Sequence, residues 1–257
     1  MSDFEVETTL LIQSERPREV AEQIAALEGL GPYRLLTRSD LTIRDVYVDL
    51  ENNSLRSYGL GMRLRTVGGQ TLVTMKGKPK HGPGGLRSRE EIEMAWTPDA
   101  LERVADRCAQ QGLVLDTAGA TFSDDEPLSV LFELGFVTDQ IRTNFRRPRN
   151  LITSESPKST LAELVVDSVV FHFASGDVRH YEVEIEVKEQ GSPEVVQTAA
   201  EHLLARWPDD LRVWGHGKRS TGQAVERMVE EFRGEGLIGS NGDLQPQAYD
   251  LLKDILH

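Results

Sequence analysis

The chain of 257 residues holds one cysteine, Cys108. That excludes an internal disulfide and any zinc site built from several cysteines, and it suits a reducing compartment. No apolar run approaches the ~20 residues of a membrane span. The opening MSDFEVETTL has neither a basic region nor a long apolar stretch, so no secretory signal is expected and the expected location is cytoplasmic. Cations are in deficit: 29 Lys and Arg stand against 42 Asp and Glu, for a net charge of −13. A protein this acidic is a poor general binder of nucleic acid or of an anionic membrane, since both need a dominant positive field. Aromatic residues make up 6%, which argues against a base-stacking platform, so Trp96, Trp207 and Trp214 read as packing residues. Familiar signatures are missing too. GLGMRL lacks the third glycine of a dinucleotide fingerprint, GHGKRS is an incomplete phosphate loop, and no nucleophile elbow or paired-histidine zinc motif occurs.

What is present is a succession of short alternating segments. FEVETTLLI, IRDVYVDLE, GMRLRTV, TLVTMKGK and EEIEMAW read as strands in the first half. VLFELGFVTDQIRTNFRR, TLAELVVDSVVFHF and DVRHYEVEIEVKE read as strands in the second. Helices are expected from Pro17, from Pro98 to near Gly112, and over 193–207, 222–236 and 246–257. About eight strands, mostly adjacent in sequence, predict an α+β fold in which an antiparallel sheet closes on itself and helices decorate it. No linker is long or polar enough to separate a pair of domains. Residues 1–222 therefore form one barrel domain, with 223–257 as a helical extension packed on it.

The charges are segregated by strand. Side chains at i and i+2 share a sheet face. Glu5 with Glu7, and Glu182 with Glu184 and Glu186, make acidic rows; Arg63 with Arg65, Lys76 with Lys78, and Arg87 with Arg89 make basic ones, followed by Glu91 and Glu93. Any one such pair is what a solvated face looks like. Like charges on one face repel, however, and a solvated sheet ordinarily interleaves signs. Acidic strands facing basic strands across an enclosed space would suit a divalent cation carried on a phosphate chain, the carboxylates taking the cation and the guanidiniums the phosphates.

These strands resemble, in order, those of the CYTH or triphosphate tunnel metalloenzyme family. EVETT stands where that family has ExExK; DVYVDL, MRLRT, TMKGK and the row Arg89, Glu91, Glu93 follow. Arg142 in DQIRTNF, Asp167 in VVDSVVF, Glu182 with Glu184, and Lys218 in GKRSTG complete the set over residues 4–222. The resemblance implies an eight-stranded antiparallel barrel enclosing a tunnel, with Mg²⁺ or Mn²⁺ as cofactor. It implies Glu5, Glu7, Asp167, Glu182 and Glu184 as metal ligands. Thr9, Arg63, Arg65, Lys76, Lys78, Arg89, Arg142 and Lys218 would bind the substrate. Glu5, Glu7, Asp167 and Lys76 are the residues it places nearest the chemistry. The basic run Arg146, Arg147, Arg149 reads instead as an exposed loop or tunnel mouth.

The activity so implied is metal-dependent hydrolysis of inorganic triphosphate or a small organic triphosphate, cleaving a phosphoanhydride bond. Two alternatives stand beside it: non-catalytic binding of a triphosphate, a nucleotide or polyphosphate, and adenylate cyclisation of the class IV kind. The departure from the family pattern is Thr9, uncharged where the signature has lysine, and it bears on substrate preference and turnover. The expected partner is a small phosphorylated molecule, with neither nucleic acid nor membrane, and the chain is expected to be a monomer or homodimer.

Overall fold

The computed structural model describes residues 3–115, 117, 120–155, 158–188, 190–232 and 236–256. Its strands are β1 (Asp3–Ile12), β2 (Gly29–Leu30), β3 (Tyr33–Thr37), β4 (Leu41–Leu50), β5 (Gly61–Val67), β6 (Gln70–Lys76), β7 (Lys80–His81), β8 (Arg87–Ala95), β9 (Phe136–Ile152), β10 (Ala162–Phe173), β11 (Gly176–Val187) and β12 (Leu211–Val213). Its helices are α1 (Pro17–Ala25), α2 (Ser54–Ser57), α3 (Pro98–Ala109), α4 (Pro127–Glu133), α5 (Pro193–Arg206), α6 (Lys218–Phe232) and α7 (Pro246–Leu256). Five of these helices open on proline, whose missing N–H would be unpaired at that position anyway. In hydrogen-bonded order the strands run β10-β11-β1-β8-β6-β5-β4-β9-β3-β2, and β10 also pairs with β9. Eight strands therefore close into an antiparallel barrel, as expected, with four short strands added to it.

Several expected boundaries shift. The stretch 130–147 is not one strand: Pro127 opens α4, and Gly135, at φ 84, turns the chain out of it into β9. Helix α1 stops at Ala25 because Gly29 and Leu30 pair with β3. Helix α6 begins at Lys218, ahead of the expected Gly222. The far ends of the last two expected helices, residues 233–235 and 257, lie outside the described residues.

The chain divides into two compact units. The first comprises 1–4, 43–79 and 89–142; the second comprises 5–42, 80–88 and 143–257, and so includes the C-terminal helices. In the first unit, alternation gives each strand one apolar and one polar side. Val46, Val48, Met62, Leu64, Val73 and Met75 are buried with Val104 and Cys108 of α3 and Leu131 of α4. The other side carries Asp45, Tyr47, Arg63, Arg65 and Thr74, all buried, and the half-buried Lys76. Asp49, next on that side of β4, accepts from the backbone N–H groups of Leu55 and Arg56 at 2.9 and 3.2 Å and so anchors the start of α2.

In the second unit, one side of β1, β10 and β11 buries Leu10, Leu164, Val166, Val183 and Ile185 against α1 and α5. The opposite side changes character along its length. At one end Leu11, Val169, Phe171 and Val178 are covered by Val225 and Met228 of α6 and Tyr249 and Leu252 of α7. At the other end it carries carboxylates. By covering the apolar end, α6 places its first residue, Lys218, among those carboxylates.

Candidate functional site

The first unit gathers cations on its buried polar side. Strand register sets Asp45 opposite Arg65 and Tyr47 opposite Arg63 on β4 and β5. It then sets Arg63 opposite Thr74 on β6, and Thr74 and Lys76 opposite Glu93 and Glu91 on β8. Asp45 is fully buried and takes three guanidiniums: Arg65 Nε at 2.9 Å, Arg142 Nη2 at 2.7 Å and Arg63 Nη1 at 3.3 Å. The Tyr47 hydroxyl accepts from Arg142 and Arg63 at 2.9 and 3.2 Å. Lys76 pairs with Glu91 at 2.7 Å, and Glu93 accepts from Thr74 at 2.8 Å.

Burial alone would raise the Asp45 carboxyl, but Arg63, Arg142 and Arg65 hold it well below the usual carboxylate range. Burial likewise opposes ionisation of Tyr47, yet Arg142 and Arg63 prevail and bring the phenol down to about 8. Arg142 Nη1 and Arg63 Nε are buried without a hydrogen-bond partner among the described residues, so the cluster still has N–H donors to offer an anion.

The second unit gathers carboxylates. Asp167 on β10 lies opposite Glu182 on β11, with Glu184 two residues on. One ligand oxygen from each of Asp167, Glu182 and Glu184 lies within 4.8 Å of the others. Lys218 Nζ sits among them, 2.9 Å from Asp167, 2.6 Å from Glu184, and paired with Glu182 as well. Arg146 closes the group, 3.1 Å from Asp167 and 3.0 Å from Glu184. His180 is fully buried behind Glu182, at 3.5 Å, and stacks on Phe171.

Burial, helped by the charges of Glu184 and Asp167, drives the Glu182 carboxyl up against the pull of Lys218. Glu184 is also desolvated, but Lys218 and Arg146 hold it well below the usual range. Lys218 is held above the ordinary lysine value by the three carboxylates, in spite of its burial. Both oxygens of Asp167 and of Glu182 are buried without a well-aligned hydrogen bond, despite their ion pairs with Lys218. Three close carboxylates with oxygens so placed fit a hard divalent cation, whose ligands are oxygens.

The expected site residues thus divide between the two units. Arg63, Arg65, Lys76 and Arg142 come together in the first, and Asp167, Glu182, Glu184 and Lys218 in the second. Arg89 is half-buried on β8. Lys78 is exposed past the end of β6, its stem against Gly59. Glu5 is half-buried on β1, and its charge raises the Glu186 carboxyl together with that of Glu7, on top of the larger effect of burial. Glu7 is buried and bound by Arg87 at 2.8 Å. The same Arg87 nitrogen donates to the Thr9 hydroxyl at 2.7 Å. Beside Thr9, then, a cation is supplied by β8 rather than by β1 itself.

The sequence reading of Arg146 needs correction. It lies inside β9, with its side chain 18% exposed, because β9 continues through Pro148 to Ile152. Arg87 is a further member that the motifs do not single out, and Asp45 and Tyr47 are members to which the sequence reading assigns no role. Arg87 is visible in the row with Arg89. Asp45 and Tyr47 stand in the DVYVDL motif, but a search for rows of like charge gives them no role, since it passes over the counter-ion that organises the arginines.

The chain belongs to the CYTH family: the model of the CYTH domain matches residues 6–206, most of its length. No curated protein sequence matches it. Among solved structures it is similar to HpAC1 from Hippeastrum, described as having a dominant triphosphatase activity, at 18% identity and TM-score 0.56, covering 86% of this chain and 96% of that one. A protein of Bacillus halodurans described as a candidate adenylate cyclase is 17% identical at TM-score 0.48, covering 83% and 94%. The Pct1 RNA triphosphatase of S. pombe is 8% identical at TM-score 0.36, covering 91% and 86%. At 18% identity the likeness to HpAC1 is one of fold.

Proposed function

We propose that this chain is a metal-dependent hydrolase of inorganic triphosphate or of a small organic triphosphate. The observation that carries the proposal is the triad of buried Asp167 and Glu182 and half-buried Glu184, with ligand oxygens within 4.8 Å of one another, in a protein that also buries three guanidiniums on a single aspartate. Membership of a family that includes triphosphatases supports it, as does the fold shared with HpAC1.

In this reading Asp167, Glu182 and Glu184 hold Mg²⁺ or Mn²⁺. The ion, when bound, would neutralise phosphoryl charge and acidify a water. Arg63, Arg65, Arg142 and Lys76 bind phosphoryl oxygens, and their fixed positive charge stabilises the charge that gathers on the leaving diphosphate. Arg146 keeps the triad in place by pairing with Asp167 and Glu184, and Lys218 holds the place among the three carboxylates until it yields that place to the ion. Arg87, held by Glu7 and Thr9, adds a cation where the signature lysine is missing.

Phosphorus NMR on the purified protein, with inorganic triphosphate and with ATP, each with Mg²⁺ and with Mn²⁺, tests the reading. Conversion of triphosphate to diphosphate and phosphate is the expected result. Diphosphate formed from ATP alone would point to cyclisation. Broadened substrate signals without turnover would make the protein a binder, the reading that the Thr9 substitution favours.

A further inference from the structure

Strand β9 alternates strictly along its middle. Thr143 and Phe145 turn to one side: the Thr143 hydroxyl meets His172 Nε2 at 2.8 Å, and Phe145 is 43% exposed. Asn144 turns to the other side, the one it shares with Arg146 at i+2. Arg146 pairs with Asp167 and Glu184. Asn144 is 1% exposed, and both Nδ2 and Oδ1 lack a hydrogen-bond partner among the described residues. Burying both ends of an amide unpaired is unfavourable, and it is rare in folded proteins.

The cations of the carboxylate cluster are already committed. Arg146 directs its guanidinium to two carboxylates, and Lys218 its ammonium to three. A ligand must supply one acceptor for Nδ2 and one donor for Oδ1. An ionised triphosphate chain offers only acceptors. It can satisfy Nδ2 and leaves Oδ1 in need of a donor, and a water molecule is the small donor present in every hydrolysis.

We infer that Asn144 is a catalytic residue that orients the attacking water. Nδ2 donates to a terminal phosphoryl oxygen, and Oδ1 accepts a hydrogen bond from the water, fixing its lone pair on phosphorus. The water oxygen forms the new P–O bond as the bridging P–O bond breaks. Diphosphate leaves with the bridging oxygen and its electron pair. One proton of the water stays on the released phosphate, and the other passes to solvent. This role rests on the triphosphatase reading above.

The test measures two independent quantities on Asn144→Ala and Asn144→Ser: the melting temperature without ligand, and steady-state hydrolysis of inorganic triphosphate with Mg²⁺. Inorganic triphosphate carries no hydroxyl, so a substrate hydroxyl cannot stand in for the water. The expected result is a kcat lowered at least about tenfold, with KM changed less than about threefold. The melting temperature should be unchanged or higher, because an unpaired amide has been removed. A variant that melts well below the wild type would show that the amide has a structural partner, and would overturn the inference. So would wild-type turnover in both variants, with the triphosphatase reading left standing. Absence of hydrolysis in the wild type itself would instead remove that reading, and the role of Asn144 with it.

Discussion

In the first unit one carboxylate, Asp45, gathers three guanidiniums; in the second one ammonium, Lys218, gathers three carboxylates. Both central groups are buried, at 0% and 6% exposure, so each stands in a medium where an unpaired charge is very unfavourable. The two clusters differ in what they can do about the charge left over. A guanidinium stays protonated at any working pH, so the arginine cluster cannot shed its excess. A carboxylate can take up a proton, and Glu182 is already driven in that direction. One cluster is thus a fixed positive charge that waits for an anion. The other is an adjustable negative charge that can accept a proton, an ammonium or a divalent ion. That asymmetry suits the division of labour proposed above.

The largest effect is expected where no adjustment is possible. Asp45→Ala leaves Arg63, Arg65 and Arg142 buried without their common partner, and should lower stability by roughly 3–5 kcal/mol in urea unfolding at neutral pH. Inorganic triphosphate added to the variant should restore some of that loss, since it returns an anion to the cluster. If Asp45→Ala were as stable as the wild type, the arginines would be held by packing and the comparison would collapse.

Lys218→Met makes the matching change in the second unit. The carboxylates it abandons can protonate, so the loss should be smaller, about 2–4 kcal/mol in the presence of a chelator. Mn²⁺ should stabilise the variant more than it stabilises the wild type, because the ion no longer competes with the ammonium. Calorimetric titration of Mn²⁺ into both proteins checks this directly. Equal affinities would mean that Lys218 does not occupy the place of the cation.

Much of this is legible in the amino-acid sequence. Strand alternation and the rows at i and i+2 expose most of the charged side chains, because a sheet with two buried faces must carry its charge in such rows. The counter-ions are harder to see. Asp45 lies in IRDVYVDL next to a basic strand, and nothing in a one-dimensional pattern says that three arginines from two other strands converge on it. Arg146 reads as a loop residue because it heads a run of basic side chains, Arg146, Arg147 and Arg149, of the kind solvent usually takes. In the fold the Pro148 carbonyl accepts from the Arg38 N–H at 3.2 Å and the strand runs on. Asn144 belongs to no charge pattern at all; only its burial without a partner marks it.

Tyr47 is the titratable neighbour of the fixed cluster. Its phenol is brought from 10.0 to about 8 in the folded chain, so the folded state releases the proton before the unfolded state does. The sign follows: Tyr47 adds stability that is fully present above pH 10, and that is lost as pH falls through about 8. Relative to Tyr47→Phe, the wild type should gain on the order of 2–3 kcal/mol between those limits. Phenolate absorbance should appear near pH 8 in the wild type and lose that component in Tyr47→Phe. A phenol that titrates near 10 would mean that Asp45 screens the arginines more fully than the geometry implies.

The smallest effect is expected at Lys78, and it tests how sharply the fixed cluster ends. Lys76 is the last residue of β6, half-buried and 2.7 Å from Glu91. Past it, the Gly77 N–H still bonds to the Glu90 carbonyl at 2.9 Å, but Lys78 has turned into solvent with its stem against Gly59. An exposed ammonium interacts weakly with a phosphate and is screened by salt within about 10 Å. Lys78→Ala should therefore change triphosphate turnover by less than about twofold, while Lys76→Ala removes a desolvated charge and should lower it about tenfold or more. Steady-state rates at low and at physiological ionic strength separate the two cases. If Lys78→Ala lost as much as Lys76→Ala, and the loss faded with salt, the positive field would extend past the end of β6 and steer the substrate from outside.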